Sequence, residues 1–494
     1  MTWCNFPMNG NYHEPSVDWL VKTLVKAVES WDELNNNIND KFNRIDDNIK
    51  TNVEDYIEGM VNSGYFDSVL EGFLDTIFIN VLHPPYGLNP LNPNGNVDNT
   101  DNLQAIIDYL RTHNRYGRIY FPSGSYLFNS TVNVNWRWID FEGEQESSSR
   151  LIINGVMTLF NIENADETMN FISFRRLSIS TNTPTMNGVF VEANNVFHLY
   201  FQYVRCYNMQ KHIVLTDCST AIIQDCVLQN DTALTLNNIR GIELHGNCNS
   251  TYIKNVDITF RSVELGNSCY GILFADKPND LTIDRLAISG CDVQIQVEQG
   301  NSSIPGNVKI VNSDFDGSTI AIQFINLRVT GDLSKTNGCV IANNFFGTRA
   351  DASSDLVIIN NCTDIKIIGN TFTNYLTASI DFIYLFNSFM CAVIGNSLIN
   401  GNGNVIRVQA CTGTSISSNL INCLNNDVGN AITIAGGRNS TIVGNVFRGK
   451  FTNAVNATST SAKCLIVGNN AIPDSGYNGA YVNSSTSGVT ENNI

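Results

Sequence analysis

The amino-acid sequence predicts an all-β chain that folds as a parallel β-helix of about 12–13 coils, preceded by an N-terminal α-helical coiled-coil segment. Three observations support this prediction. A short apolar phrase recurs from about residue 173 onward, only 15% of the 494 residues are charged, and asparagine and glycine are abundant. Asparagine and glycine suit tight turns between short strands, whereas helical enzymes place many Lys and Glu residues on their solvent faces.

The N-terminal stretch PSVDWLVKTLVKAVESW predicts a helix, and the following stretch predicts a coiled coil. Its apolar residues are separated by steps of 4, 4, 3, 4, 4, 3 and 4, at Leu34, Ile38, Phe42, Ile45, Ile49, Val53, Tyr56 and Met60. This eleven-residue period is typical of a straight or slightly right-handed coiled coil. The remaining faces are polar, so the helix needs partners along its apolar stripe, and we expect a homotrimeric stalk. A helix packed on its own chain is the alternative.

We expect four segments along the chain. Residues 1–64 are the N-terminal helical segment, residues 65–95 a helical connector and linker, residues 96–172 the start and cap of the β-helix, and residues 173–494 its body. The connector includes the apolar stretch FDSVLEGFLDTIFINVL, which predicts a helix. The cap combines a short amphipathic helix with a strand–turn–strand pattern in GRIYFPSGSYLF.

The recurring phrase has the form h-x-x-z-x-h, where h is apolar, and its copies are 22 to 31 residues apart. Early copies have an apolar residue at z, at Leu177, Val204, Cys226, Val256 and Leu286. Late copies have asparagine there, at Asn344, Asn370, Asn396, Asn419, Asn445 and Asn469, and Ser313 marks the change. Such a repeat predicts stacked coils, and the asparagine amides should hydrogen-bond along the column. The final VTENNI fits the phrase again, with Asn492 at z.

Composition excludes several classes of partner and site. The formal net charge of −17 argues against a nucleic-acid-binding protein. Neither a secretory signal peptide nor a membrane-spanning segment is apparent, so we expect assembly in a host cytoplasm without membrane insertion. The 13 cysteines lack metal-finger spacing and should be small buried residues. We expect neither a metal nor a cofactor.

The stretch VDNTDNLQAIIDYLRTHNRYGRIYFPSGSYLF resembles the first segment of the pectate-lyase-like superfamily of single-stranded right-handed parallel β-helices. The matching residues are Asp98, Asn99, Thr100, Ala105, Ile106, Gly117, Ile119, Pro122, Gly124 and Tyr126. The N-terminal layout resembles phage tailspikes and pre-neck appendage proteins of phages that infect Gram-positive hosts. That resemblance implies a trimer whose helices bind virion tail or neck proteins and whose β-helix contacts the host surface. Some of these relatives lose a C-terminal chaperone by self-cleavage.

The phrase also assigns outward positions, where chemistry with a substrate is expected. Cleavage of a glycan needs two carboxylates roughly 5–9.5 Å apart, and neighbouring coils supply such spacings. The candidate catalytic residues are Asp225, Asp257 and Asp284. The candidate substrate-binding residues are Arg176, Tyr203, Arg205, Lys254 and Arg285, whose cationic members could hold sugar acids or phosphates. The alternative is a solvated face whose charges pair between coils.

Three further features are candidates for binding or packing. Ile368, Ile394, Val443 and Val467 form an outward apolar stripe on the late coils, which predicts a subunit contact or a covering loop of the same chain. Glu243 and His245, with Arg261 and Glu264, could be an acid–base group or a surface pair. Trp136 and Trp138 could stack on sugars or cap the β-helix.

The resemblance, taken together with these patterns, implies a trimeric virion spike or appendage that binds, and could cleave, a bacterial surface polymer such as a capsular polysaccharide or teichoic acid. Carboxylates would then hydrolyse a glycosidic or phosphodiester bond. A non-catalytic adhesin of the same shape is the first alternative, and a cellular polysaccharide lyase is the second.

Overall fold

The computed structural model describes residue 26 and residues 76–493, apart from residues 164–170, 183–187, 231–237, 261–268, 277–278, 300–305, 329–337, 349–354, 375–379, 402 and 478. The predicted N-terminal helices and coiled coil lie outside the described residues. The described part is a right-handed parallel β-solenoid of about 13 turns, which confirms the predicted β-helix.

The strands of the solenoid are short, as a coil built from repeated strands and polar turns requires. The first part of the chain contains β1 Thr76–Asn80, β2 Asn94–Asp98, β3 Tyr116–Phe121, β4 Gly124–Phe128, β5 Val132–Val134, β6 Ile139–Gly143, β7 Ser149–Ile153, β8 Thr158–Glu163, β9 Ile172–Arg175, β10 Ser178–Thr181, β11 Val189–Asn194, β12 Phe197–Gln202, β13 Arg205–Tyr207 and β14 Lys211–Thr216. The middle contains β15 Ser219–Gln224, β16 Val227–Asn230, β17 Arg240–His245, β18 Tyr252–Phe260, β19 Tyr270–Phe274, β20 Leu281–Ser289, β21 Val293–Glu298, β22 Val308–Val311, β23 Asp314–Ser318, β24 Ile320–Ile325, β25 Cys339–Ala342, β26 Phe345–Thr348, β27 Val357–Asn360 and β28 Ile365–Ile368. The last part contains β29 Thr371–Thr373, β30 Ile383–Phe386, β31 Ala392–Ile394, β32 Ser397–Ile399, β33 Ile406–Gln409, β34 Ser415–Ser417, β35 Leu420–Ala435, β36 Thr441–Val443, β37 Val446–Ala457, β38 Leu465–Val467, β39 Asn470–Pro473, β40 Ala480–Asn483 and β41 Val489–Glu491.

These strands pair in parallel and form three stacks, which we call the first, second and third sheets. The first sheet contains β1, β3, β6, β9, β12, β15, β18, β20, β22, β25, β28, β31, β34, β36, β38 and β41. The second contains β2, β4, β7, β10, β13, β16, β23, β26, β29, β32 and β39, with parts of β18, β20, β35 and β37. The third contains β5, β8, β11, β14, β17, β19, β21, β24, β27, β30, β33 and β40, with the later parts of β35 and β37.

The short amphipathic helix expected in the cap is present, although the first sheet already begins at β1. Helix α1 spans Thr100–Thr112, and its buried residues are Thr100, Leu103, Ile106, Ile107 and Leu110. The Asp98 carboxylate accepts hydrogen bonds from the Thr100 backbone N–H at 3.0 Å and from the Asn129 backbone N–H at 3.1 Å. A carboxylate before the first helical turn satisfies backbone N–H groups that have no partner within the helix. The strand–turn–strand pattern is β3 and β4.

The expected helical connector needs one correction. Thr76–Asn80, within the stretch expected to be helical, is strand β1, which pairs in parallel with β3. Its sequence TIFIN is β-branched and aromatic, so it fits a pleated sheet once β3 offers an edge. Apolar spacing alone does not separate a short buried strand from a helix.

The core is a stack of apolar side chains that repeat from coil to coil. Phe141, Phe174 and Phe201 occupy one inward column of the first sheet, with ring centroids 5.0 and 5.3 Å apart. Phe315, Phe346 and Phe372 occupy an inward column of the second sheet at 4.9 and 4.5 Å. Burial of such rings is the main driving force for a fold in which each coil contacts mainly its neighbours.

The predicted asparagine column is a continuous ladder of amides. Each side-chain Nδ2 donates to the Oδ1 of the next asparagine at 2.9–3.0 Å, from Asn344 through Asn370, Asn396, Asn419, Asn445 and Asn469 to Asn493. The last member corrects the prediction, because Asn493 continues the ladder and Asn492 occupies the preceding turn. Thr490 takes the inward position opposite Ile466, so the final copy is shifted by one residue.

The described cysteines are buried free thiols, as predicted. The outward apolar stripe of the late coils is also present: Ile368, Ile394 and Val467 are half-buried, and Val443 is 38% exposed. Whether a second subunit covers this stripe is left as a prediction. None of the helices in the described part of the chain is long and apolar enough to cross a membrane.

Candidate functional site

The predicted site residues lie on the outer faces of the first and second sheets and on the turn between them. We call the coils built on β6 to β20 of the first sheet the early coils, and those built on β25 to β38 the late coils. One turn position of the early coils holds Arg176, Tyr203, Asp225, Asn255 and Arg285, with φ angles of 54°, 53°, 54°, 51° and 57°. The same position of the late coils holds Gly369, Gly395, Gly444 and Gly468, along with Asn343 and Ser418.

This turn position is in the left-handed region of backbone conformation, where glycine is favoured. An L-residue there costs about 1–2 kcal/mol. Arginine and tyrosine gain no local hydrogen bond to their own backbone that offsets this cost, unlike asparagine and aspartate. The early coils therefore keep large functional side chains where folding alone favours glycine, a pattern found at binding and catalytic sites.

Asp225 is held by amide groups from three coils. Its Oδ2 accepts a hydrogen bond from Gln224 at 2.8 Å, and its Oδ1 accepts one from Asn255 at 2.7 Å. Partial burial tends to raise the pKa of Asp225, but hydrogen bonds from Asn255, Gln224 and Gln202 lower it below the ordinary value. The carboxylate is therefore ionised at neutral pH, which suits a base or a hydrogen-bond acceptor and excludes a resting proton donor.

The three candidate aspartates lie on successive coils about 4.8 Å apart. Asp257 is opposite Val227 on one neighbouring coil and Ala287 on the other, just after the turn. Asp284 is opposite Lys254, just before the turn. Its Oδ1 accepts a hydrogen bond from Asn312 at 2.9 Å. The sequence therefore placed all three on one surface, but on different sides of the turn.

One carboxylate that the sequence analysis missed is Asp314. It follows Ser313 in the phrase and lies in the same outward column as Asp257, with Ala287 between them. Two coil steps separate the backbones of the two aspartates by roughly 9.6 Å, which leaves room for a water between the carboxyl groups as inverting glycosidases require. Partial burial, and then the charge of Asp316, raise the pKa of Asp314. The phrase itself could have identified Asp314, because it fixes the outward position after z.

The candidate cations are largely engaged by acidic neighbours. Arg176 pairs with Glu142, and the Arg205 Nη2 lies 2.6 Å from the Glu146 Oε1. Arg285 Nε lies 3.5 Å from Asp284 Oδ2. Glu142 and Glu146 belong to earlier coils and were not among the predicted residues. In the ligand-free chain Arg176 and Arg205 therefore pair with carboxylates of other coils, as the alternative to a binding site predicts, whereas Arg285 pairs with its own neighbour Asp284.

Aromatic rings accompany these charges on the early coils. Tyr203 is 46% exposed, and Trp138 is 43% exposed with a left-handed φ of 59°. Trp138 stacks on Phe171 with ring centroids 5.9 Å apart and also contacts Tyr116 at 5.3 Å. Trp136 instead packs against the core, with its indole N–H donating to the Arg115 carbonyl at 2.7 Å. Trp138 is thus available for stacking on sugars, whereas Trp136 caps the solenoid.

The predicted Glu243 and His245 pair is on a different surface, the outer face of the third sheet. The Glu243 Oε1 lies 3.1 Å from the His245 Nε2, and its Oε2 lies 2.7 Å from the Lys211 Nζ. Burial would raise the pKa of Glu243, but the hydrogen bonds from His245 and Lys211 outweigh burial and hold it at about 2. The bond to Glu243 in turn raises the pKa of His245. Arg261 and Glu264 lie outside the described residues.

The late coils hold a second pair of acidic residues that the sequence analysis missed. The Asp355 Oδ1 accepts a hydrogen bond from the Asp381 backbone N–H at 3.0 Å, and the Asp381 Oδ1 accepts one from the Asn404 backbone N–H at 2.8 Å. Burial, and then the charge of Asp355, raise the pKa of Asp381 to about 6. These residues begin strands of the third sheet, where no recurring phrase marks an outward position.

The described residues contain no cluster of three His, Cys, Asp or Glu side chains that could hold a metal ion. The strongest chemical groups are therefore carboxylates, arginines and aromatic rings. Such a set can bind a hydroxylated or acidic polymer and transfer protons to it.

Comparison with known proteins agrees with this architecture. Residues 78–323 match the family model for rhamnogalacturonase A/epimerase, pectate lyase-like. No curated protein matches the chain by sequence.

Solved structures with a similar fold include the tailspike protein of Escherichia coli bacteriophage HK620 in complex with a pentasaccharide. It has 15% identity and a TM-score of 0.61, and the match covers 86% of this chain and 81% of that one. A double mutant of the same tailspike, also with pentasaccharide, gives 15% identity and a TM-score of 0.59 over the same shares. The Azotobacter vinelandii mannuronan C-5 epimerase AlgE4 A-module gives 13% identity, a TM-score of 0.48, and coverage of 79% and 98%. At these identities the likeness concerns the fold.

Proposed function

We propose that this protein is a spike or appendage of a phage virion that binds a bacterial surface polysaccharide along the outer face of the early coils and of the next coil, which holds Asp314, and cleaves it. The observation that carries the proposal is the turn position occupied by Arg176, Tyr203, Asp225 and Arg285, where the late coils use mainly glycine. Similarity of fold to a tailspike that binds a pentasaccharide supports the same class of ligand.

The proposed chemistry is hydrolysis by two carboxylates. Asp314, whose pKa is raised, protonates the leaving oxygen of the sugar. Asp257 activates a water from the other side of the gap above Ala287, and the two-coil spacing of the backbones, wider than a retaining pair needs, favours inversion at the anomeric carbon. Asp225 and Asp284, already hydrogen-bonded to amides, accept hydrogen bonds from sugar hydroxyls, and Arg176, Arg205, Lys254 and Arg285 exchange their present partners for acidic groups of the polymer.

The finer parts of the proposal concern assembly and host. The chain forms a homotrimer, residues 1–64 attach it to virion tail or neck proteins, and the host is Gram-positive. A teichoic acid is then the second candidate polymer, because its phosphates suit the arginines of the early coils. Analytical ultracentrifugation of the full chain tests the trimer directly, and a monomer at micromolar concentration would remove that part of the proposal.

The deciding experiment incubates purified full-length protein with capsule and cell-wall fractions and follows soluble products by chromatography. We expect release of oligosaccharides, with Asp257→Asn and Asp314→Asn each reducing release at least 100-fold while binding is kept. The matched control is Asp364→Asn, which alters a half-buried turn residue of a late coil and should leave release unchanged.

The alternatives predict different products. Binding without release from any fraction indicates a non-catalytic adhesin. Products with a new carbon–carbon double bond, seen by their ultraviolet absorbance, indicate a polysaccharide lyase. Release that survives all of the aspartate variants contradicts the proposed site on the early coils.

A further inference from the structure

A cleft of about 650 Å³ lies at the corner where the third sheet turns into the first sheet. It is separate from the residues proposed for cleavage. Its lining residues come from successive coils and are Glu163, Asn194, Asn195, Phe197, Asp217, Ser219 and Asn247. Four coils contribute, so the cleft extends roughly 14 Å along the solenoid axis. That length suits a short oligosaccharide better than a single ion.

The backbone at this corner is arranged to hold a carboxylate in place. Asn195, Asp217 and Gly246 occupy the same turn position, with φ angles of 55°, 50° and 63°. A Cβ atom at Gly246 would lie 2.3 Å from the Asp217 Oδ1, so this coil needs glycine there. The Asp217 Oδ1 accepts a hydrogen bond from the Asn247 backbone N–H at 2.7 Å. The Asp217 carboxylate therefore keeps its position before any ligand binds.

The lining defines the chemistry that the cleft can accept. Two carboxylates, three amides, one hydroxyl and one aromatic ring surround it. Among the described residues that line it, none carries a positive charge. An acidic sugar or a phosphate would meet Glu163 and Asp217 without a compensating cation, whereas a neutral polyol would find both donors and acceptors. The ring of Phe197 offers an apolar surface for one face of a sugar.

His245 lies next to the cleft, in line with cleft residues on neighbouring strands of the third sheet. Glu163, Asn194, Thr216 and His245 are opposite one another on successive strands of the third sheet. The His245 Nε2 is engaged by Glu243, while its Nδ1 lies 3.9 Å from the Asp276 Oδ2. About one third of the His245 side chain is exposed. The imidazole can therefore donate to a ligand that leaves the cleft toward the later coils.

We infer that this cleft is a second carbohydrate-binding site, which takes a neutral or amino sugar and rejects acidic ones. The outer face of the first sheet, with its arginines, favours acidic groups, so the two sites select different sugars. A polymer with alternating acidic and neutral units, or a side branch of neutral sugars, could occupy both. The inference does not depend on cleavage and uses none of the residues proposed for it.

Isothermal titration calorimetry on the full-length protein tests the inference with defined probes. The probes are neutral tetrasaccharides of glucose and N-acetylglucosamine, the cationic tetramer of glucosamine, and the anionic tetramer of galacturonic acid. We expect binding of at least one neutral or cationic probe. The anionic probe should bind at least tenfold more weakly in this cleft.

Three variants then assign the binding to the cleft. Phe197→Ala should weaken the neutral probe at least tenfold, and Asn194→Ala should weaken it several-fold without a packing change, because Asn194 is exposed. Asp217→Asn should weaken the glucosamine tetramer most, since it removes a negative charge. The matched control is Phe386→Ala, which removes a half-buried aromatic ring from the third sheet of a late coil and should leave probe affinity unchanged.

Two results would overturn the inference. One is the absence of binding by every neutral and cationic probe at millimolar concentration. The other is binding that Phe197→Ala and Asn194→Ala leave intact. Cleavage of the host polymer is measured separately, so retained release with no probe binding would reject the cleft and leave the proposed hydrolase standing.

Discussion

The early and late coils share one backbone and differ in what they place on it. In the early coils the residue after the left-handed turn is apolar, as at Leu177 and Val204, and the turn itself holds Arg176 and Tyr203. In the late coils the same two positions hold the asparagine ladder and mainly glycine. The late coils therefore carry their distinctive polar residues on the inside of the turn, whereas the early coils carry theirs on the outside.

This difference shows how a solenoid separates stability from function. The ladder satisfies buried amides coil after coil, and the glycines remove backbone strain, so the late turns are optimised for stacking. The early turns have a strained backbone at the left-handed residue and an apolar side chain at the residue after it. They present arginine, tyrosine and aspartate on the surface. The following predictions test that contrast.

The largest expected effect is the loss of folding stability when the asparagine ladder is interrupted. Asn419→Ala removes the Oδ1 that accepts from the backbone N–H and Nδ2 of Asn396, at 2.9 Å each, and leaves buried groups without partners. We expect a loss of roughly 3–5 kcal/mol in the free energy of unfolding. The control is Cys226→Ala at the same position of an early coil, which should cost only about 1 kcal/mol. Denaturant unfolding followed by circular dichroism measures both, and equal losses would contradict the contrast.

Glu243 on the early coils should stabilise the fold more as pH rises. Its pKa is about 2 when folded and 4.5 ordinarily, so its contribution is complete above pH 4.5 and is lost as the pH falls toward 2. Glu243→Gln should therefore cost about 2–3 kcal/mol at pH 7 and progressively less below pH 4.5. Glu192→Gln, in the same outward column, is the control with little expected change. A pH-independent difference would show that packing, not charge, is responsible.

Asp381 on the late coils should behave in the opposite way. Burial and Asp355 raise its pKa from 3.8 to about 6, so its ionisation opposes folding. The folded state is favoured below pH 3.8, and this advantage is lost as pH rises through 6. Asp381→Asn should raise the thermal midpoint at pH 8 by an amount equivalent to about 1–3 kcal/mol, and leave it nearly unchanged at pH 4. Destabilisation by this variant at pH 8 would instead indicate that the ion pair with Arg407 dominates.

The smallest expected effect comes from two substitutions at the left-handed turn, one that introduces glycine and one that removes it. Tyr203→Gly should stabilise the chain by about 0.5–1 kcal/mol and weaken polymer binding, because the residue is strained and exposed. Gly395→Ala should destabilise it by about 1 kcal/mol without affecting binding. No heavy atom lies within 4 Å of the added Cβ at Gly395, so backbone conformation alone is tested. Thermal scans at one rate, with binding by calorimetry, measure both, and stabilisation by neither change would remove the strain argument.

The candidate site was only partly predictable. The phrase placed Asp225, Asp257 and Asp284 on one surface, and it could have given Asp314 as well. The partners Glu142 and Glu146 of the arginines were not predictable, because their coils precede the first copy of the phrase. The cleft and the pair of Asp355 and Asp381 belong to the third sheet, whose strands follow connections of variable length and carry no regular spacing.

The error in the connector has the same origin. TIFIN has an apolar pattern that fits a helix or a strand, and only the presence of the β3 edge decides for a strand. The final copy of the phrase was misplaced by one residue because VTENNI offers two adjacent asparagines. The hydrogen bond from Asn469 to Asn493 selects the register.

The sequence by itself determined that this chain stacks in coils, which positions face inward, and where the asparagine ladder begins. Those properties follow from a local period, since each coil repeats the strand and turn of its neighbour. Only the tertiary structure decided which charges pair, which carboxylates have raised or lowered pKa values, and where a cleft opens. These depend on side chains 20 to 35 residues apart that meet through stacking, and on the burial that stacking creates.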